Sequence, residues 1–129
     1  MKYRQLGKTN FKVSEVSLGT WQLGSKWGDP FDATDAQNTL AAAYDAGVNF
    51  YDTADIYQDG ASEQALAKFI KDKKDKVFVS TKVGRKLDPH VASGYTATNI
   101  TKFVEASLQN LEVDALDNAV SYTHLTLPT

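Results

Sequence analysis

Val48-Asn49-Phe50-Tyr51-Asp52 and Val77-Phe78-Val79-Ser80-Thr81-Lys82 are two short runs rich in β-branched and aromatic residues, each ending on a charged side chain. Runs of that length and composition read as strands. Between them lie a polar loop and a segment of helical spacing, so the pair marks one step of an alternating β/α chain, whose parallel strands carry chemistry at their C-terminal ends. Side chains alternate along a strand, so Val48, Phe50 and Asp52 share one face, as do Phe78, Ser80 and Lys82. Adjacent parallel strands lie about 5 Å apart. With both faces turned the same way, the Asp52 carboxylate reaches the Lys82 ammonium, and Tyr57 follows in the loop Thr53-Ala54-Asp55-Ile56-Tyr57. Two readings are open at this point: a plain ion pair at the rim of a core with Tyr57 packed on it, or a proton-transfer site. A free tyrosine gives up its proton only near about pH 10. An ammonium beside a phenol favours the phenolate, and a carboxylate keeps that ammonium charged and in place.

The rest of the chain extends the same alternation. Tyr3-Arg4-Gln5-Leu6 and Phe11-Lys12-Val13 flank Gly7-Lys8-Thr9-Asn10, which predicts a β-hairpin at the start. Residues 13–18 read as a first strand, followed by a glycine-rich loop to Pro30. Thr34 with Gln37 has the form of a capping box for a helix over 35–46, which Gly47 can end in a left-handed conformation. After the strand at 48–52, Ser62 is the expected N-cap of a helix over 63–72, with Glu63 in its first turn facing the helix dipole. Residues 71–76 mix lysine and aspartate and read as a solvated helix end. A strand at 77–82 leads through a long loop to Thr96, the expected N-cap of a third helix over 97–110, and a fourth strand is expected to begin near Ala115-Leu116. The predicted order is a hairpin, three βα units and the start of a fourth strand.

Composition narrows the function. The 129 residues carry 14 Lys and Arg against 16 Asp and Glu, a formal charge of −2 that offers no field for nucleic acid or an anionic membrane. The opening Met1-Lys2-Tyr3-Arg4-Gln5 has no apolar signal core, and no run approaches the length of a membrane span, so a cytoplasmic location is expected. There is no cysteine, and His90 and His124 are the only imidazoles, so neither disulfides nor a metal site is expected.

Phe50-Tyr51-Asp52-Thr53-Ala54-Asp55-Ile56-Tyr57, then Gly60-Ala61-Ser62-Glu63, then Ser80-Thr81-Lys82-Val83-Gly84 resemble the signature of the aldo-keto reductases. Tyr3-Arg4-Gln5-Leu6-Gly7-Lys8-Thr9, Val16-Ser17-Leu18-Gly19-Thr20-Trp21 and Glu105-Ala106-Ser107-Leu108-Gln109-Asn110-Leu111 with Asp114 and Asp117 are similar to that family as well, in the family's order. The resemblance implies a (β/α)8 barrel plugged at its base by the hairpin, with NADPH across the C-terminal rim and an aldehyde or ketone as substrate; NADH is the alternative cofactor. By the same resemblance Tyr57 is the proton donor, Lys82 its charge partner and Asp52 the anchor of Lys82. Gly19, Thr20, Trp21 and Asp52 fall where the family holds the nicotinamide end of the cofactor.

A barrel of this kind takes about 250 residues, and the chain supplies about half of one. As it stands, it is expected to lack most of the cofactor cradle and not to turn over. Residues 118–129 depart from the family pattern. The family's catalytic histidine belongs five positions past the aspartate that Asp117 matches, where this chain has Tyr122; His124 stands two residues late and is given no role. Two alternatives stand beside the reductase: a cofactor-binding regulatory subunit on the same scaffold, comparable to the auxiliary subunits of potassium channels, and a half-barrel without function. Oligomeric state is not legible in the sequence.

Overall fold

The computed structural model describes residues 1–26, 28–73 and 76–122. A two-stranded antiparallel hairpin, β1 (Tyr3–Gln5) and β2 (Lys12–Ser14), precedes a four-stranded parallel sheet in the order β3 (Leu18–Gly19), β4 (Phe50–Asp52), β5 (Phe78–Val83), β6 (Asn118–Ser121). Helix α1 (Ala33–Asp45) connects β3 to β4, α2 (Ala61–Ile70) connects β4 to β5, and α3 (Ala97–Leu111) connects β5 to β6. This is part of a (β/α)8 barrel: hairpin, three βα units and the strand that opens the fourth.

The stretch 13–18, expected as one strand, divides. Its first residues pair with β1, and only Leu18 and Gly19 enter the parallel sheet, opposite Tyr51 and Asp52. The chain must turn from beneath the sheet into it. Ser14 makes that turn, its Oγ donating to the Val16 carbonyl at 2.7 Å while Asn49 Oδ1 accepts from its amide at 2.7 Å. Asn49 Nδ2 also donates to the Lys12 carbonyl, and Phe11 stacks on Phe78 with ring centroids 4.6 Å apart, so the hairpin is fastened to the N-terminal end of the sheet.

The core lies between the sheet and its helices. Tyr51 and Val79 point outward from β4 and β5 into a layer made by Leu40 of α1, Leu66, Phe69 and Ile70 of α2, and Leu111 of α3. Their strand neighbours Asp52, Ser80 and Lys82 therefore face the other way, toward the barrel axis. Burial pushes the Tyr51 phenol up to about 12, helped by Tyr44 and Asp45. Its hydroxyl is satisfied inside the core by the Leu40 and Val48 carbonyls, each at 3.3 Å.

Two helix starts differ from the sequence expectation. For α1 the cap is Asp32, whose Oδ1 accepts from the amides of Thr34 (2.8 Å) and Asp35 (3.0 Å), so Thr34 is already inside the helix and Gln37 instead donates to the Ala65 carbonyl. A carboxylate two residues upstream outcompetes a hydroxyl for the same free amides. Asp32→Ala is therefore expected to lower stability by about 1 kcal/mol in urea unfolding, and Thr34→Ala to leave it nearly unchanged; equal losses would contradict the assignment. For α2 the cap position is Gly60, left-handed at φ 93°, and the Ser62 side chain is turned inward. Gly47 behaves as expected: at φ 91° it ends α1, its amide donating to the Tyr44 carbonyl at 2.8 Å. Thr96 also caps α3 as expected.

The fourth strand starts at Asn118 rather than near Ala115, because Asp117 first turns its Oδ2 to the Val79 amide (2.9 Å). Asn118 through Ser121, where the sequence reading expects a departure from the family pattern, pair in parallel register with Ser80 through Val83. His124 and the remainder of that tail lie outside the described residues, as do Lys74 and Asp75 of the mixed charge run. Among the described residues no helix is long and apolar enough to cross a membrane, and no cluster of side chains could hold a metal ion.

Candidate active site

Asp52 and Lys82 end on the same face of neighbouring strands because Asp52 pairs with Ser80, two residues before Lys82. Lys82 Nζ donates to Asp52 Oδ2 at 2.7 Å and to the Thr53 carbonyl at 2.8 Å, and lies 3.4 Å from Tyr57 Oη. One ammonium thus joins the carboxylate to the phenol. The lysine side chain is 17% exposed and the aspartate 38%. Burial of Lys82 works against its charge, but the hydrogen bond and attraction of Asp52, with help from Tyr57, outweigh it and raise the pKa of the ammonium. Lys82 therefore stays protonated across the neutral range.

Tyr57 is placed by its backbone. The loop after β4 follows β5, with the Thr53 amide donating to the Ser80 carbonyl at 2.8 Å and the Asp55 amide to the Lys82 carbonyl at 3.0 Å. At Tyr57 a short 3₁₀ turn, Tyr57–Gly60, begins. Gln58 and Asp59 both adopt left-handed backbone, at φ 50° and 51°, a conformation uncommon for residues with a Cβ. Each is tied to a neighbouring loop: Gln58 Nε2 donates to Ser25 Oγ at 2.7 Å, and Asp59 pairs with Lys86 at 3.0 Å. An open cleft of about 320 Å³ beside this turn is lined by Trp21, Gln22, Ser25, Lys26, Gly28 and Gln58.

Gly19, which ends β3, and Thr20 and Trp21, which follow it, are placed differently from one another. Gly19 sits opposite Asp52, and a Cβ built on it would meet nothing within 4 Å. Trp21 is largely exposed at the cleft. Thr20 is buried, its hydroxyl donating to the Asp52 carbonyl at 3.0 Å. Tyr122, at the position where the family pattern has histidine, lies close enough to Tyr57, Lys82 and Asp52 to feel their charges; burial raises its pKa first, Tyr57 next.

Two buried acids lie beneath the loop: Glu63, expected from sequence only as a first-turn acid on the helix dipole, and Asp55, which has no role assigned from sequence. Glu63 is fully buried and accepts from Thr81 Oγ1 (2.6 Å) and Asn110 Nδ2 (2.9 Å), binding α2 to β5 and α3. Asp55 is 2% exposed, and neither carboxylate oxygen has a hydrogen-bond partner among the described residues. Burial, then repulsion from Glu63, pushes its carboxyl up to about 6, against weaker attraction from Lys86 and the amides of Gly84 and Ile56. Nothing in residue type marks this burial. The signal available was only its place one residue before Ile56 in a loop that must pack on a strand.

A parallel β/α sheet with a carboxylate, an ammonium and a phenol joined at its C-terminal rim is the arrangement of part of a (β/α)8 barrel, whose sites lie at that rim. A model of the aldo/keto reductase family matches residues 15–126, and the chain belongs to that family. Among solved structures it is similar to an aldo-keto reductase from Bacillus halodurans in its holo form, at 29% identity and a TM-score of 0.77, covering 94% of this chain and 40% of that one. It also resembles an aldo-keto reductase from Klebsiella pneumoniae in complex with NADPH, at 26% identity and a TM-score of 0.70, covering 91% of this chain and 38% of that one. Among curated proteins, a "probable voltage-gated potassium channel subunit beta" from Oryza sativa is 32% identical over 127 residues, 96% of this chain and 37% of that protein. Its counterpart from Arabidopsis thaliana matches to the same extent. The chain thus spans less than half the length of these relatives.

Proposed function

We propose that this chain carries the proton-donating part of an NADPH-dependent reductase of small aldehydes and ketones. The observation that carries the reading is the Lys82 ammonium held between Asp52 and Tyr57. A substrate carbonyl oxygen accepts the Tyr57 proton, and the charge growing on the phenol meets an ammonium already fixed by Asp52 and the Thr53 carbonyl, so no reorganisation is needed at the moment of transfer. Asp52 keeps Lys82 charged, and the exposed Trp21 face and the cleft beside Gln58 shape the approach of the substrate.

The residues present fit the nicotinamide end of a dinucleotide: a Cβ on Gly19, opposite Asp52, would meet nothing within 4 Å, so the strand end is open beside the carboxylate. Gly19, Trp21 and Asp52 would hold that end, with Thr20 fixing the Asp52 backbone. When bound, NADPH supplies the hydride that converts the carbonyl carbon to a carbinol, as NADH would.

A second reading is favoured by the curated relatives named as potassium channel β subunits: a regulatory protein that binds the cofactor on the same scaffold. The test uses residues 1–121 joined to the later strands of a family relative, so that the barrel is complete. NADPH is titrated by its fluorescence, then a panel of aldehydes and ketones is added. Binding followed by oxidation of the cofactor supports the reductase. Binding without oxidation across the panel sinks it and favours the regulatory subunit.

A further inference from the structure

Beneath the Asp52–Lys82 pair lie three hydroxyls, on Thr20, Thr53 and Ser62, all fully buried. Thr20 Oγ1 donates to the Asp52 carbonyl at 3.0 Å, Ser62 Oγ is 2.8 Å from Thr20 Oγ1, and Thr53 Oγ1 is 2.9 Å from Ser62 Oγ. A carbonyl only accepts, so the Thr20 proton is committed to Asp52. Ser62 must then donate to Thr20, chiefly to Oγ1, with the Thr20 carbonyl a longer acceptor at 3.3 Å, and Thr53 to Ser62. Each hydroxyl has one proton, and the chain has one direction. It begins on the residue whose carbonyl anchors Lys82 and ends on the carbonyl of the residue whose carboxylate anchors Lys82. Ser62, in the first turn of α2, is the link that joins the end of β3 to the end of β4.

We propose that Ser62 is a positioning residue: its hydroxyl, passing a hydrogen bond from Thr53 to Thr20, sets the spacing of the two acceptors that hold the Lys82 ammonium. This role goes beyond helix capping, for which its side chain makes no bond, and it rests on the reading of Asp52, Tyr57 and Lys82 as a proton-donating site. Without the Ser62 hydroxyl, the Thr53 hydroxyl is buried with no acceptor there and turns elsewhere. The 52–53 peptide then shifts with it, and one of the two Lys82 hydrogen bonds lengthens.

The test is proton exchange of the Lys82 ammonium, measured by NMR on the chain labelled at its lysines, with Lys82→Met identifying the signal. The unaltered chain is expected to show one slowly exchanging signal from Lys82. Ser62→Ala and Thr53→Val are each expected to speed its exchange at least several-fold, and Thr53→Ser to restore it. Ser107→Ala is the control, since Ser107 is equally buried on α3 and its hydroxyl has no partner among the described residues; it is expected to leave the Lys82 signal alone. Thr53→Val keeps the shape of the side chain, so it decides the matter if Ser62→Ala does not fold. A protected Lys82 signal that survives both Ser62→Ala and Thr53→Val, even with lowered melting temperatures, would overturn the proposal and leave Ser62 a structural residue only. Absence of a protected Lys82 signal in the unaltered chain would overturn the site reading itself.

Discussion

In the completed barrel, Tyr57→Phe lowers the rate of aldehyde-dependent NADPH oxidation by about 10²–10⁴-fold, the range that a positioned general acid contributes, and leaves NADPH affinity nearly unchanged. The phenol is the group whose proton reaches the site, and the rest of its ring is retained in phenylalanine. Lys82 keeps its two stronger anchors, Asp52 Oδ2 and the Thr53 carbonyl, so the variant should fold with the ammonium in place. A fall in kcat with little change in KM marks the loss of an interaction made in the transition state alone. If the rate fell no more than threefold, the proton would come from elsewhere, and Tyr57 would be a packing residue of the rim.

Asp55→Asn has the second large effect, on stability, and its sign depends on pH. The folded chain holds the Asp55 proton up to about pH 6, whereas an unfolded aspartate loses it near about pH 4. Between those values the folded state binds more protons than the unfolded one, so stability falls as pH rises through this window. Above about pH 6 the native state carries a buried carboxylate beside Glu63 at a cost of about 3 kcal/mol. Asparagine removes that charge. The variant is expected to be more stable than the parent by about 1–2 kcal/mol at pH 7.5, with the advantage gone by pH 4, as read from urea unfolding at both pH values. A destabilised Asp55→Asn at pH 7.5 would mean that the carboxylate is paired in a way the described residues do not show.

What the sequence revealed, and what it hid, follows from the kind of information each feature needs. Asp52 and Lys82 were legible because strand alternation alone assigns them to one face, and their pairing then required only neighbouring parallel strands, which β4 and β5 are. Tyr57 was legible by its place in a motif. The capping of α1 was misread because Asp32 and Thr34 both offer oxygen atoms to the same amides, and only geometry tells which arrives. Ser62 was read as a cap for a related reason: in sequence, a capping hydroxyl and a buried linking hydroxyl look the same. The break in 13–18 was invisible because β-branched residues suit both the hairpin and the sheet; the turn at Ser14 depends on Asn49, thirty-five residues away. The burial of Asp55, and of Glu63, which reads in sequence only as a first-turn acid, is not legible because burial of a carboxylate is a tertiary property, and the usual expectation for such residues is solvent.

The most direct measurement is the fate of the transferred hydrogen. The completed barrel is supplied with a simple aldehyde and with NADPH carrying deuterium at the transferable position of its nicotinamide, and the alcohol is analysed by mass spectrometry. An alcohol with deuterium on its carbinol carbon, formed with Tyr57 and lost with Tyr57→Phe, is the predicted result. Cofactor that binds but yields no deuterated alcohol would contradict the account.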